Sequence, residues 1–272
     1  CQHVYTFLPT YQPTCLSYHG PLTVSDALRV SCNVFFYDTG RQLGIARVNQ
    51  YAQALGLGVP TGIELTEAKG TQCDPDTIYP GDVLQAAIGQ LDNGYTPVQL
   101  ANYCATIARR GVRMKLSLVK SISSYYDWRD TLSTHTPEVA NTLGVDPSVF
   151  DPVINGMVQA SHDVRGTAYR YLGDYPVTVA SKTGTPQTNE FPNSTFICFA
   201  PADDPQIAIA VVIEKGWHGY TGAPVARAVL DSFFFPDKAA GNAEEAPAQT
   251  SESAPESIAG AAARGNVAPP AL

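Results

Sequence analysis

The chain has 272 residues, 44% of them hydrophobic and 15% charged, with a net charge of −8. That suits a folded domain with a real core. Only 17 Lys and Arg stand against 25 Asp and Glu, with no basic run, which argues against a nucleic-acid partner. No apolar stretch reaches the roughly 18–20 residues a membrane helix needs.

The sequence begins at Cys1 and runs into Gln2-His3-Val4-Tyr5-Thr6-Phe7, which reads as a strand. With no Met and no signal peptide, a truncated chain is expected, the alternative being a processed lipoprotein with its lipid on Cys1. Thr23 is placed to cap a helix over 24–36. A second helix is expected over about 41–55, with apolar Leu43, Val48, Ala52 and Leu55, and Gly56 as its stop. Thr96-Pro97 opens another, closed by Gly111, and Asp146-Pro147 and Asp151-Pro152 are similar starts. Residues 115–122 read as a strand, as do 177–182, 194–200 and 206–214. The last two are joined by the turn-rich Pro201-Ala202-Asp203-Asp204-Pro205. Residues 221–235 read as a final amphipathic helix. From 237 to 272 aromatics vanish among Ala, Glu, Ser and Pro, and this reads as a disordered tail. Helices in the middle and strands towards the end predict an α+β fold over residues 1–236, an antiparallel sheet flanked by helices.

The cysteines at 1, 15, 32, 73, 104 and 198 show no CxxC or Cys/His metal spacing. They read as buried or free thiols. A Cys1–Cys15 disulfide across a hairpin is the alternative in an oxidising compartment. The five His show no ligand spacing either, and no metal or organic cofactor is expected.

Two short motifs carry chemistry. Ser181-Lys182-Thr183-Gly184-Thr185 follows the β-branched Val177-Thr178-Val179. A Lys supplies charge, Thr hydroxyls donate to a carboxylate, and Gly184 lets a ligand approach the backbone at a strand edge. Ser31-Cys32-Asn33 near a helix end reads, alone, as a cap or turn. Together and in this order they match two members of the Ser-x-x-Lys, Ser-x-Asn and Lys-Thr-Gly set of penicillin-binding proteins and serine β-lactamases.

Longer stretches extend the match. Thr23-Val24-Ser25-Asp26-Ala27-Leu28-Arg29-Val30-Ser31-Cys32-Asn33-Val34-Phe35-Phe36, Leu55-Gly56-Leu57-Gly58 with Thr61-Gly62-Ile63-Glu64-Leu65, Ala87-Ile88-Gly89-Gln90, Thr96-Pro97-Val98-Gln99-Leu100-Ala101, Gly166-Thr167-Ala168 and Phe199-Ala200-Pro201 occur in order. Over about residues 1–235 the chain resembles the transpeptidase domain of class B penicillin-binding proteins. It departs from the pattern at Leu91, where Gly is usual, and at Pro186, where a small residue is usual. The resemblance implies a β-lactamase/transpeptidase-like α/β sandwich, incomplete at its N-terminus. The family's Ser-x-x-Lys nucleophile should precede Ser31, but only Ser117/Lys120 and Thr66/Lys69 have that spacing, and both come later. The nucleophile is therefore expected upstream of Cys1, leaving this chain alone inactive.

The roles implied are acyl transfer on a peptidoglycan stem peptide, with β-lactams as mimics. Ser31 relays a proton, Asn33 binds the substrate amide, and Lys182 supplies positive potential. Thr183 and Thr185 hold the substrate carboxylate, and the Thr185 N–H supplies half of an oxyanion hole. The parent protein is expected at the extracytoplasmic membrane face, partnered with a glycosyltransferase. A non-catalytic penicillin- or peptide-binding sensor and a serine β-lactamase are the other readings.

Overall fold

The computed structural model describes residues 1–237. The expected tail, Asp237 apart, lies outside the described residues. The fold is mixed α+β, with its core built on the late strands. β6 (Ser194–Ala200) lies between β5 (Ala180–Gly184) and β7 (Ile207–Ile213), all antiparallel. The run Ser194-Thr195-Phe196-Ile197-Cys198-Phe199-Ala200 is almost continuously apolar because β6 is covered on both faces. Phe196 and Cys198 face α8 (Ala223–Phe234), packing with Ala223, Ala226 and Leu230. Ile197 and Phe199 face α5 (Pro97–Ala108) and α6 (Asp151–His162), packing with Cys104, Ile107 and Met157. Alternation along one strand thus feeds two cores.

The first half is helical, but its breaks differ from those expected. The helix expected over 24–36 is two, α1 (Val24–Arg29) and α2 (Asn33–Leu43). Thr23 does cap α1, in a reciprocal box with Asp26. The chain then turns because Ser31 adopts a left-handed φ of 53°. The Cys32 N–H bonds to the Ala27 carbonyl at 2.9 Å and the Ser31 N–H to that of Leu28 at 3.3 Å. This is a Schellman closure with Ser where Gly is usual. The helix expected over 41–55 is likewise split at Gly44, leaving α3 (Ile45–Ala54). The same closure ends α3, with Gly56 in the left-handed position as expected. α5 ends similarly, but Arg110, not Gly111, takes that position.

Other boundaries also move. Residues 2–7 form no strand: Val4 makes one isolated bridge, to Thr14, and Leu8 just beyond makes another, to Tyr11. Residues 115–120 are not strand, because the Ser117 hydroxyl and the Leu118 N–H bond to the Glu64 carboxylate instead of a neighbouring strand. The strand begun there is only β2 (Ser121–Ser123), paired with β3 (Thr131–Thr134), while β1 (Val112–Met114) pairs with β4 (Val139–Thr142). β5 starts later than expected. The Val179 N–H goes to His162 and the Thr178 carbonyl to Ala202, outside any ladder. Short helices α4 (Pro80–Ala87) and α7 (Tyr169–Leu172) were not read from the sequence.

Candidate active site

α6 serves as a spine for both motifs. On one side the Ser25 hydroxyl donates to the Pro152 carbonyl at 2.7 Å, and a Cβ on Gly156 would sit 2.8 Å from Leu28 and 2.9 Å from Ser25. Only Gly lets α1 come so close. Buried Arg29 adds ion pairs to Asp26 at 2.9 Å and to Asp163 just past α6 at 3.3 Å. On the other side the buried hydroxyls of Ser161 and Ser181 share a 2.7 Å hydrogen bond. The His162 Nε2 accepts from the Val179 N–H at 2.9 Å, and burial lowers the pKa of that imidazole, consistent with a neutral acceptor. The turn after α1 and the edge strand β5 are thereby held to one helix.

The result brings two distant motifs together. The Lys182 ammonium donates to the Ser31 hydroxyl at 2.9 Å and to the Thr183 carbonyl at 2.7 Å. Lys182 pairs with Ile197 across the ladder, which puts it on the face of Ala180 and Phe199. Loss of water around the ammonium pushes its pKa down to about 8. Because Lys182 donates to Ser31, the serine's own proton is free to point into the cleft.

The remaining expected residues sit around this pair. Thr183 shares a 3.0 Å hydroxyl bond with Thr167. The Thr185 hydroxyl accepts from the Gly219 N–H at 3.0 Å, and the Thr185 carbonyl accepts from the Gln90 amide at 3.1 Å. Asn33 opens α2 one residue past Cys32, but it is not a partner of Lys182. Its amide instead opposes the effect of burial, which raises the pKa of the Tyr37 phenol. Within the protein, the close backbone contact at this strand edge is made by Gly219. A Cβ on Gly219 would lie 2.5 Å from the Gly184 carbonyl oxygen, whereas one on Gly184 meets only ordinary contact with Thr195.

Three supporting residues were not assigned a role from the sequence. Gln90 receives the Gln187 N–H at 2.9 Å while donating to Thr185, and so fixes the loop after β5. Gln90 and Thr167 stood inside recognised blocks, whereas Gly219 carried no signal. All six cysteines are free thiols, so no Cys1–Cys15 disulfide is formed. Cys32, immediately after Ser31, joins Cys1, Cys15 and His19 in a group able to hold a metal ion.

A Ser-x-Asn turn held against a Lys-Thr-Gly edge strand is the arrangement the motif set predicts, and the family model for the penicillin-binding protein transpeptidase domain matches residues 4–233. The chain belongs to the penicillin-binding protein transpeptidase family. It is 34% identical over 230 residues to the peptidoglycan D,D-transpeptidase PbpA of Mycolicibacterium smegmatis, covering 78% of this chain and 44% of that protein. Its fold is similar to Pseudomonas aeruginosa PBP2 solved with WCK 5153, with a TM-score of 0.75 and 30% identity over 86% of this chain and 55% of that one. Penicillin-binding protein A of M. tuberculosis, solved as a ceftriaxone acyl-enzyme, aligns with a TM-score of 0.70 and 28% identity, covering 82% and 52%. The class B transpeptidase resemblance is borne out. The chain spans 34% and 44% of the first two curated relatives it matches.

Proposed function

We propose that this cleft grips the D-alanyl-D-alanine end of a peptidoglycan stem peptide, as part of a serine D,D-transpeptidase for which β-lactams are substrate mimics. The observation that carries the reading is the 2.9 Å contact between Lys182 and Ser31. A Lys poised near pH 8 exchanges protons readily near neutrality, as a relay requires. In the first step a serine oxygen attacks the penultimate D-Ala carbonyl, and the terminal D-Ala leaves as its amine takes a proton through Ser31. In the second, a neighbouring stem's amine attacks the acyl-serine and releases it. Lys182 raises the local potential for the substrate carboxylate, which Thr183 and Thr185 hold. Asn33 binds the substrate amide, and the Thr185 N–H faces the developing oxyanion.

The nucleophilic serine and its lysine are proposed to come from residues outside these 272, because no Ser-x-x-Lys precedes Ser31. The parent is proposed to be membrane-anchored at the extracytoplasmic face and partnered with a glycosyltransferase. No helix among the described residues is long and apolar enough to cross a membrane. The test is labelling with fluorescent penicillin. The 272-residue chain should take up none, and an N-terminally extended chain should label. Ser31→Ala or Lys182→Ala in the extended chain should slow acylation by about 10²-fold or more, the usual weight of a positioned proton relay. Labelling of the short chain would remove the proposal about the nucleophile. Unchanged acylation in both variants would remove the assignment of the cleft. Many-turnover hydrolysis of nitrocefin by the extended chain would favour a β-lactamase instead.

A further inference from the structure

We propose that His162 is a positioning residue that makes the cleft sensitive to acid: once protonated it releases the Val179 N–H, and the start of β5 shifts and takes Lys182 away from Ser31. The consequence for activity rests on the transpeptidase reading above, whereas the structural step does not. α6 ends at His162, and that end grips β5 twice. The Ser161 hydroxyl shares its 2.7 Å bond with Ser181, and the His162 Nε2 accepts from the Val179 N–H at 2.9 Å. The ladder with β6 begins only at Ala180, so the ring holds the chain just before it. Val179, Ala180 and Ser181 are fully buried, and no water is at hand to replace a lost partner. Lys182 follows directly in the same register. A displacement at Val179 is therefore passed along the strand to the ammonium, whose 2.9 Å contact with Ser31 joins the two walls.

An imidazole can make this bond only while neutral. To accept at Nε2 it carries its proton on Nδ1, and its other hydrogen bond is to the Gly173 backbone at the end of α7. A second proton, on Nε2, would set two N–H donors against each other, so the ring or the strand must move. Burial lowers the pKa of the ring and the Gly173 bond opposes it in part, so the ring charges on the acid side of its ordinary 6.5. The surrounding charges are committed elsewhere. Asp163, next in the chain, pairs with Arg29 and Arg165. Asp174, beyond Gly173, pairs with Arg227, and Arg170 lies over the Tyr171 ring. Asp203 and Asp204, past the Ala202 that bonds Thr178, are exposed. Lys182 donates to Ser31 and Thr183. The unfolded chain takes up the proton before the folded one does, so stability is withdrawn as the pH falls below 6.5.

The test separates the strand from the reaction. In the 272-residue chain, nuclear magnetic resonance should show the His162 ring titrating in mild acid, with the amides of Val179, Lys182 and Ser31 shifting at the same midpoint. His162→Gln offers a neutral acceptor and donor at every pH, so those amide shifts should vanish. In an N-terminally extended chain, acylation by fluorescent penicillin between about pH 7.5 and about pH 5 should fall at least ~3-fold further in the wild type than in His162→Gln. His162→Leu, which has no acceptor, should acylate about 10-fold more slowly already near neutrality and lack that acid limb, while His162→Gln keeps the wild-type rate there. Should His162→Leu fail to fold, wild type against His162→Gln decides alone. A Val179 amide that does not follow the ring, a Val179 shift that Lys182 and Ser31 do not share, or an acid limb kept in full by His162→Gln would each overturn the proposal. An extended chain that takes up no penicillin at any pH would remove the transpeptidase reading instead, and the amide titrations would still decide the role of His162.

Discussion

The two walls of the cleft are built by different means. The Lys182 wall is an edge strand in unbroken register with β6 from Ala180–Phe199 to Gly184–Thr195. Behind it Phe196 and Phe199 are fully buried in separate cores. The Ser31 wall is a turn between two helices, held by a left-handed residue, a capping box and contacts to α6. A ladder fixes a side chain through many small equivalent bonds. A turn fixes it through a few specific ones, and is therefore easier to displace. Substitutions on the strand side should consequently act on global stability, and those around the turn and the cleft rim on local geometry.

The largest effect tests the strand side. Phe196→Ala removes a fully buried ring from between β6 and α8, with an expected loss of about 3–5 kcal/mol. Denaturant unfolding should show a lower midpoint with unchanged slope. A cost under about 1 kcal/mol would mean the sheet is not the stabilising body of the fold.

The contact between the walls is probed by pH. Lys182 has its pKa lowered to about 8 in the fold, against an ordinary 10.5. Between those values the unfolded chain holds a proton that the folded chain has released, so stability rises with pH. The gain is at most about 1.4 kcal/mol per pH unit, or about 3 kcal/mol across the window, and it is flat above and below. Subtracting the curve of Lys182→Met isolates this group from the thiols and phenols that titrate nearby. Parallel curves would show that the ammonium is solvated and that the walls do not meet as described.

A smaller effect is expected at the rim. Gly219→Ala would press a methyl against the Gly184 backbone and force β5 or the loop to move, at about 1–3 kcal/mol. The same change should loosen the Gly219 N–H to Thr185 bond. In an N-terminally extended chain, acylation should therefore fall more than stability alone explains. Equal losses in both would make Gly219 a packing residue only.

The same contrast governs what could be read from the chain. β6 was legible to the residue, because a strand buried on both faces writes itself as an apolar run. The Thr23 cap and the Thr96-Pro97 helix start were legible because a capping hydroxyl and a first-turn proline sit at the helix end itself. The break at Ser31 was not, since a Ser in the left-handed position looks like any helical Ser, and the bonds that close α1 are backbone bonds. The motifs named Ser31 and Lys182, but nothing local predicts α6 as their common support. The buried Ser161–Ser181 pair and the Gly156 contact join residues far apart in sequence. Gly219 acts through its missing side chain, and Cys1, Cys15, His19 and Cys32 meet through folding alone.

The least effect, and the one of opposite sign, lies at Leu91. The sequence departs there from the family's usual Gly, and the backbone adopts φ 63°. A left-handed β-substituted residue costs roughly 1–2 kcal/mol, whereas Gly enters the region freely. Leu91 is half exposed, so little burial is lost on truncation. Gly also adds freedom to the unfolded chain, which offsets part of the relief by about 0.5–1 kcal/mol. Leu91→Gly should therefore stabilise by a few tenths to about 1 kcal/mol, raising the thermal midpoint by a degree or two for a chain of this size. The loop runs directly after Gln90, which bonds both Thr185 and Gln187, so relief of strain should also leave that amide in place. A loss of stability on this substitution would mean that Leu91 packs in solution against something the left-handed turn was built to meet, and that the cleft rim, like the strand wall, is held by burial.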